Sequence, residues 1–130
     1  MADPTPSTPS TQDSILNSVK KYCNVDPSYD VFDDQLIPLI NGSLNTVAQL
    51  GAGVSDFYIT DATATWDDFL GESRSTLHNV ESLVKIKVRL MFDPPSNSFV
   101  TDALRKEADE LTWRINVQVD PKPMSPNGVV

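Results

Sequence analysis

Residues 75–95, STLHNVESLVKIKVRLMFDPP, decide the fold. Their apolar residues recur at helical spacing, with one stripe formed by Leu77, Val80, Val84, Val88 and Met91. Further apolar positions widen this stripe, namely Leu83, Ile86, Leu90 and Phe92. The pattern predicts a long helix from about Ser75 to Phe92 that is buried on more than one side. Asp93-Pro94-Pro95 must end it, because proline lacks an N–H and clashes with the preceding turn.

A shorter amphipathic segment is predicted near the start of the chain. Its apolar residues at helical spacing are Ile15, Leu16, Val19 and Tyr22. Thr11 or Asp13 could cap its start, since both side chains can accept a hydrogen bond from a backbone N–H. We expect Asp26-Pro27 to end this first helix.

A second helix is predicted between about Asp30 and Leu50. Its apolar stripe consists of Phe32, Leu36, Ile40, Leu44, Val47 and Leu50. Gly51 stands where a C′ glycine belongs. Because Pro38 lies inside this segment, the helix should kink there or begin later than Asp30.

A long loop and a short helical turn follow the second helix. Residues 51–65 have a loop-like composition, and Phe57–Thr60 could form a short strand or an extended segment. Residues 65–71 predict one helical turn, with Thr65 as its N-cap and Asp68 at N3 in the capping-box position.

A last helix is predicted from about Ser98 to Val119, with Ser96 or Asn97 as its cap. Its apolar stripe consists of Val100, Leu104, Leu111, Ile115 and Val119. The final residues, Arg114–Val119, alternate in polarity and could equally finish as an extended strand.

These elements predict an all-α fold, a small bundle of about four helices with a short helical turn and a long loop in its middle. The folding unit is expected to span residues 13–119. Residues 1–12 are rich in Pro, Ser and Thr and predict a flexible N-terminal segment. Residues 120–130, DPKPMSPNGVV, predict an extended C-terminal arm because of their three prolines.

The negative charge is concentrated in the middle of the chain. The 130 residues have a formal net charge of -8, which argues against general nucleic-acid binding. Residues 30–72 contain eight acids and no lysine or arginine, whereas residues 73–130 contain eight basic and seven acidic residues. This patch could orient copies in an assembly or steer a basic partner, or it could simply be a solvated face.

The sequence shows no constellation typical of catalysis or metal binding, so we expect neither an enzyme nor a cofactor. Cys23 and His78 are its single cysteine and histidine. Cys23 is interpreted as a small buried hydrophobe and His78 as an exposed polar residue. The pairs Asp33-Asp34 and Asp67-Asp68 fall in first helical turns, where acids favour the helix dipole. No apolar run approaches the roughly 20 residues that span a bilayer.

Lys85, Lys87 and Arg89 form the one basic cluster. In one interpretation, these side chains border the core and meet acids of the middle region. In the other, they pair across a subunit interface with acids of a neighbouring copy, the candidates being Asp67, Asp68 and Glu72.

The order of features resembles the head–tail connector (portal adaptor) proteins of long-tailed bacteriophages. The stretches that carry the resemblance are Gln49–Gly53, Trp66–Leu70, Leu90–Ser98 and Glu110–Val117. The resemblance implies a structural virion protein that forms a ring, typically a dodecamer, beneath the portal protein. Such a ring extends the DNA channel, through which DNA passes without sequence-specific binding, and provides a platform for stopper or tail-completion proteins. It also implies synthesis in the host bacterial cytoplasm, and the N-terminus lacks the pattern of a secretory signal.

The resemblance further implies that the C-terminal segment can contact the portal, as it does in relatives. The corresponding candidates here are Val117, Val119, Asp120, Pro121, Lys122, Met124, Val129 and Val130. The alternative function is a small acidic binding module, such as a DNA mimic or regulator that engages a basic partner.

Overall fold

The computed structural model describes residues 13–119, with the side chains of Glu72, Arg74 and Ser75 outside that description. Within this range the chain forms five α-helices and a 3₁₀ segment, Gly71–Thr76. The helices are α1 (Ile15–Tyr22), α2 (Asp33–Gln49), α3 (Trp66–Leu70), α4 (Leu77–Phe92) and α5 (Ser98–Val119). The predicted all-α bundle of four longer helices and one short turn is confirmed. The predicted terminal segments, residues 1–12 and 120–130, lie outside the described residues.

Helix α4 forms the centre of the bundle. It packs against α2 on one side and α5 on the other, and α1 contacts both α4 and α2. Val80, Val84 and Val88 of its predicted stripe are buried, and so are Leu83 and Ile86. The prediction that this helix is buried on more than one side is therefore confirmed.

Helix α2 begins at Asp33, later than Asp30 as in one of the two predicted alternatives, and Pro38 still lies inside the helix. Phe32 precedes it and stacks edge-to-face on Phe92, with ring centroids 5.3 Å apart. This contact ties the start of α2 to the end of α4. Gly51 has a φ of +107° at the C′ position, a left-handed conformation that favours glycine.

The long loop between α2 and α3 is tied to the bundle by hydrogen bonds from its backbone. The Asn41 side chain accepts from the Ile59 N–H at 2.7 Å and donates to the Ile59 carbonyl at 3.1 Å. The Val54 N–H donates to the Phe69 carbonyl at 2.8 Å. Gly53 lies so close to Phe69 that a Cβ on it would stand 2.4 Å from the ring. The strand considered for Phe57–Thr60 is not formed. The Ile59 N–H donates to the Asn41 side chain and not to the backbone of a second strand.

Ser14 is the N-cap of α1, so the prediction of Asp13 as the cap was wrong. Thr11, the other predicted cap, lies outside the described range. The Ser14 Oγ accepts from the Asn17 N–H at 3.2 Å and donates to the Ala62 carbonyl at 2.7 Å. The cap thus also fastens the long loop to α1. The helix ends at Tyr22, before Asp26-Pro27.

Helix α3 has the predicted capping box. The Thr65 Oγ1 accepts from the Asp68 N–H at 3.1 Å, and an Asp68 carboxylate oxygen accepts from the Thr65 N–H at 2.9 Å. Trp66, the first residue of α3, is buried, and its indole N–H donates to the Ser18 Oγ of α1 at 3.1 Å. The short helix therefore anchors the end of the loop in the core.

Helix α5 is helical to its last residue, so the strand considered for Arg114–Val119 was wrong. Leu111 and Ile115 are buried, and Val119 packs against the core close to Gly51, which continues the apolar stripe to the helix end. Asn97 caps the start by accepting from two backbone N–H groups. Val117 and Val119 accordingly belong to α5, and the predicted arm cannot include them as extended chain.

Candidate assembly surfaces

The described residues hold no constellation that suggests chemistry. His78 is exposed on α4, as predicted. Between residues 13 and 119, no three His, Cys, Asp or Glu side chains are placed to hold a metal ion. None of the helices in that range combines the length and hydropathy that a bilayer crossing requires.

Cys23 is a buried hydrophobe, as predicted. It follows α1 and lies beside an open cleft of about 430 Å³ whose lining includes Phe32, Phe92 and Asp93. Burial raises the pKa of its thiol to about 11, although the positive charge of Arg89 acts in the opposite direction. A protonated, covered thiol is a poor nucleophile.

We therefore expect the Cys23 thiol to react slowly with a disulfide reagent at pH 8 while the protein is folded. The raised pKa alone lowers the thiolate fraction about 100-fold relative to an ordinary thiol. The rate should rise as the pH approaches 11, and it should rise at pH 8 when denaturant unfolds the chain. Equal rates for the folded and denatured protein at pH 8 would contradict this assignment.

A buried ion pair joins α1 to α2. The Lys20 Nζ lies 2.8 Å from a carboxylate oxygen of Asp33 and donates to the Pro27 carbonyl at 3.0 Å. Lys20 is 1% exposed, whereas the side chain of Asp33 is 27% exposed. Asp33 thus neutralises a lysine in addition to opening α2.

Several acids of the middle region act within the subunit. Asp33 pairs with Lys20, Asp68 completes a capping box, and Asp61 accepts hydrogen bonds from the Thr63 hydroxyl and N–H. These bonds lower the pKa of Asp61, the hydroxyl having the larger effect. Three other acids of this region are exposed and form no ion pair among the described residues, namely Asp30, Asp34 and Asp56. These three remain available for a partner.

The three basic candidates occupy different environments on α4. Lys85 lies 3.4 Å from Glu81 of its own helix, and the Arg89 guanidinium lies over the Tyr22 ring at 5.9 Å from its centroid. Lys87 is half-buried beside α2 and forms no ion pair with any described residue. The structure of one chain does not bring Lys85, Lys87 or Arg89 to Asp67 or Asp68.

Helix α5 carries large apolar side chains on the face that points away from α4. Phe99 is 85% exposed, Trp113 is 65% exposed and Val117 is 53% exposed. Their positions, 14 and 18 residues apart from Phe99, place them on one side of the helix, opposite Leu104, Leu111 and Ile115. We call Phe99, Trp113 and Val117 the outer ridge of α5. Exposed aromatic residues on one face are typical of a surface that binds a partner.

A groove between α2 and α4 is the second notable surface. It has a volume of about 230 Å³ and is lined by Pro38, Leu39, Gly42, Ser43, Thr46, Lys87 and Met91. We call it the α2–α4 groove. Lys87 and Val117 were identified from the sequence, as a subunit-interface and a portal-contact candidate. The other residues of the groove and of the outer ridge were not identified as site residues. The available signal was the position of Phe99, Trp113 and Val117 on one side of α5, opposite the stripe used to predict its buried face.

Comparison with known protein families identifies the family of this chain. A family model described as phage connector protein matches residues 15–122. No match was found among curated proteins or among solved structures. The matched range includes every helix of the bundle, and it confirms the resemblance found in the order of the sequence motifs. The chain therefore belongs to the phage connector protein family, which is a family of structural proteins and not of enzymes.

Proposed function

We propose that the protein is a head–tail connector that forms a ring beneath the portal protein of its phage. In this role the ring extends the DNA channel and provides a docking platform for stopper or tail-completion proteins. The observation that carries the proposal is membership of the phage connector family over residues 15–122. The exposed outer ridge of α5 supports it, because such a surface is expected on a subunit that is covered by neighbours.

The acidic charge is compatible with a channel protein. The net charge is -8, and Asp30, Asp34 and Asp56 are exposed without an ion pair among the described residues. A channel wall of like charge repels the DNA backbone and lets it slide. We propose that the acidic excess keeps DNA from binding to the connector during passage.

The sequence-based contact candidates remain part of this proposal. We propose that Lys87 is the strongest member of the basic cluster at the subunit interface, because Lys85 and Arg89 already have intrachain partners. Asp67, Asp68 and Glu72 stay candidates for the neighbour's side of that interface. For the portal contact we propose the segment from Asp120 to Val130, which lies outside the described residues.

The mass of the purified full chain, alone and mixed with portal protein, tests this proposal by light scattering. We expect a ring-sized mass in at least the mixture, with the chain in fixed stoichiometry to the portal. A deletion of Asp120 to Val130 should weaken binding to the portal. A chain that stays monomeric and never joins a portal particle would contradict the connector role and favour the small acidic binding module.

A further inference from the structure

We propose that neighbouring copies in the ring meet asymmetrically, with the outer ridge of α5 on one copy seated in the α2–α4 groove of the next. This inference rests on the proposed ring and adds to it the two surfaces that build the contact. The occupant of the groove is thus a second copy of this chain.

The outer ridge exposes two large aromatic side chains, with the charged Lys106 and Glu110 between them on the same side of the helix. Its two aromatic side chains, Phe99 and Trp113, are the kind of residue that dominates binding energy when a partner covers it. The distance along the helix from Phe99 to Val117 is about 27 Å, so the ridge extends over most of α5. The groove lining on α2 runs from Pro38 to Thr46, about 12 Å, so the groove receives one aromatic side chain while the rest of the ridge lies along the surface of α2 and α4.

The groove is shaped to receive bulky side chains. Pro38, Gly42 and Thr46 follow each other at intervals of four residues along α2, so a smooth surface faces outward there. A Cβ on Gly42 would have no atom within 4 Å, which shows open space above the helix. Met91, on the α4 side, is an exposed apolar residue that a partner would cover.

Ser43 is a buried polar residue in the lining of the groove. This residue lines the groove, is 1% exposed, and its hydroxyl has no hydrogen-bond partner among the described residues. Buried hydroxyls are nearly always hydrogen-bonded, because an unpaired one is costly.

Opposite charges are present on the two surfaces, although Lys106 on the ridge side of α5 has the same sign as Lys87. Lys87 lies in the groove without an ion pair among the described residues. Asp102 and Asp109 are exposed seven residues apart on the flank of the outer ridge, and they also lack an ion pair in that part of the chain. Seating the ridge in the groove would bring carboxylates of one copy near a lysine of the next. Complementary charges of this kind help to fix the orientation of an interface.

The positions of the surfaces suit a ring. The outer ridge and the α2–α4 groove share no residue, since the ridge belongs to α5 and the groove to α2 and α4. Each copy can therefore use its ridge with one neighbour and its groove with another. Such a head-to-tail contact closes into a ring when its rotation divides a full turn.

Two variants test the proposal by removing one surface each. Gly42→Leu fills the groove at a position with open space, and leucine favours a helix more than glycine does. Phe99→Ser with Trp113→Ser removes the aromatic part of the ridge, where both side chains are exposed. Ser82→Leu, which adds the same side chain at an exposed position of α4 outside the groove, is the matched control for Gly42→Leu.

We expect each variant to raise the protein concentration needed for assembly about tenfold or more, with unchanged circular dichroism and melting temperature. The Ser82→Leu control should assemble like the unchanged chain. All masses are measured by light scattering under the condition, alone or on portal rings, in which the unchanged chain assembles. An equal mixture of the two variants should form dimers with one copy of each. The groove variant still has an intact ridge, which can bind the intact groove of the ridge variant.

The outcomes separate the surfaces from the ring itself. If the unchanged chain assembles and both variants assemble equally well, this pairing of surfaces is wrong while the connector role stands. If the variants fail separately but their mixture forms no pair, the contact is not head-to-tail and the proposal is also overturned. If the unchanged chain assembles neither alone nor on portal rings, the proposed function itself fails.

Discussion

Replacement of Trp66 by alanine is expected to lower the free energy of unfolding by about 3–5 kcal/mol. The side chain is 2% exposed and forms the start of α3, where it joins the long loop to α1. Its removal leaves a cavity in the core and breaks the indole hydrogen bond to Ser18. Because small domains are stabilised by about 5–15 kcal/mol, this loss could unfold much of the population at 37 °C.

Urea unfolding followed by circular dichroism measures this effect. Trp113→Ala is the matched control, since it removes the same side chain from an exposed site on α5 and should change stability by less than about 0.5 kcal/mol. Trp66→Phe should have an intermediate effect, because it retains most of the apolar volume. Similar losses for the Trp66 and Trp113 alanine variants would show that the core is not arranged as described.

Replacement of Asp33 by alanine is expected to cost about 3 kcal/mol, at the lower end of the effect of breaking a buried ion pair. The change leaves the buried Lys20 ammonium with the Pro27 carbonyl as its one remaining hydrogen-bond acceptor among the described residues. The lower end applies because Asp33 is 27% exposed, so water can partly replace the carboxylate. Asp34→Ala removes a neighbouring acid from the same first turn of α2, and it should cost under about 1 kcal/mol.

The double variant Lys20→Met with Asp33→Leu tests whether the cost of Asp33→Ala comes from leaving the Lys20 charge unpaired. It removes both charges together, so stability should return close to that of the unchanged chain. The free energies come from the same urea unfolding measurement. Equal costs for Asp33→Ala and Asp34→Ala would rule out a structural role for the buried pair.

Local signals predicted the helices well. The end of α4 follows from two prolines, and the capping box of α3 follows from Thr65 and Asp68 three residues apart. Helix α5 was predicted with its observed bounds, because its apolar stripe and its cap lie within one stretch of sequence. Such features depend on the residues next to them in the chain, so a sequence contains them directly.

Features that depend on tertiary contacts were not predictable in the same way. Nothing near Lys20 in the sequence indicates burial, since the lysine is covered by α2 and neutralised by a residue 13 positions away. Ser14 caps α1 in preference to its neighbour Asp13 because its hydroxyl also reaches the Ala62 carbonyl. The sequence shows that Phe99, Trp113 and Val117 share one side of α5, but only the packing of Leu111 and Ile115 against the core shows that this side stays exposed.

The connector role is tested most directly by a cryo-electron microscopy reconstruction of the head–tail vertex of the phage that encodes this chain. We expect a ring of copies directly beneath the portal, around a channel continuous with that of the portal. The five helices should fit each subunit density, with α5 of each copy against α2 and α4 of the next. The connector role would be wrong if the portal contacts the stopper or tail directly and no density at the vertex fits this fold.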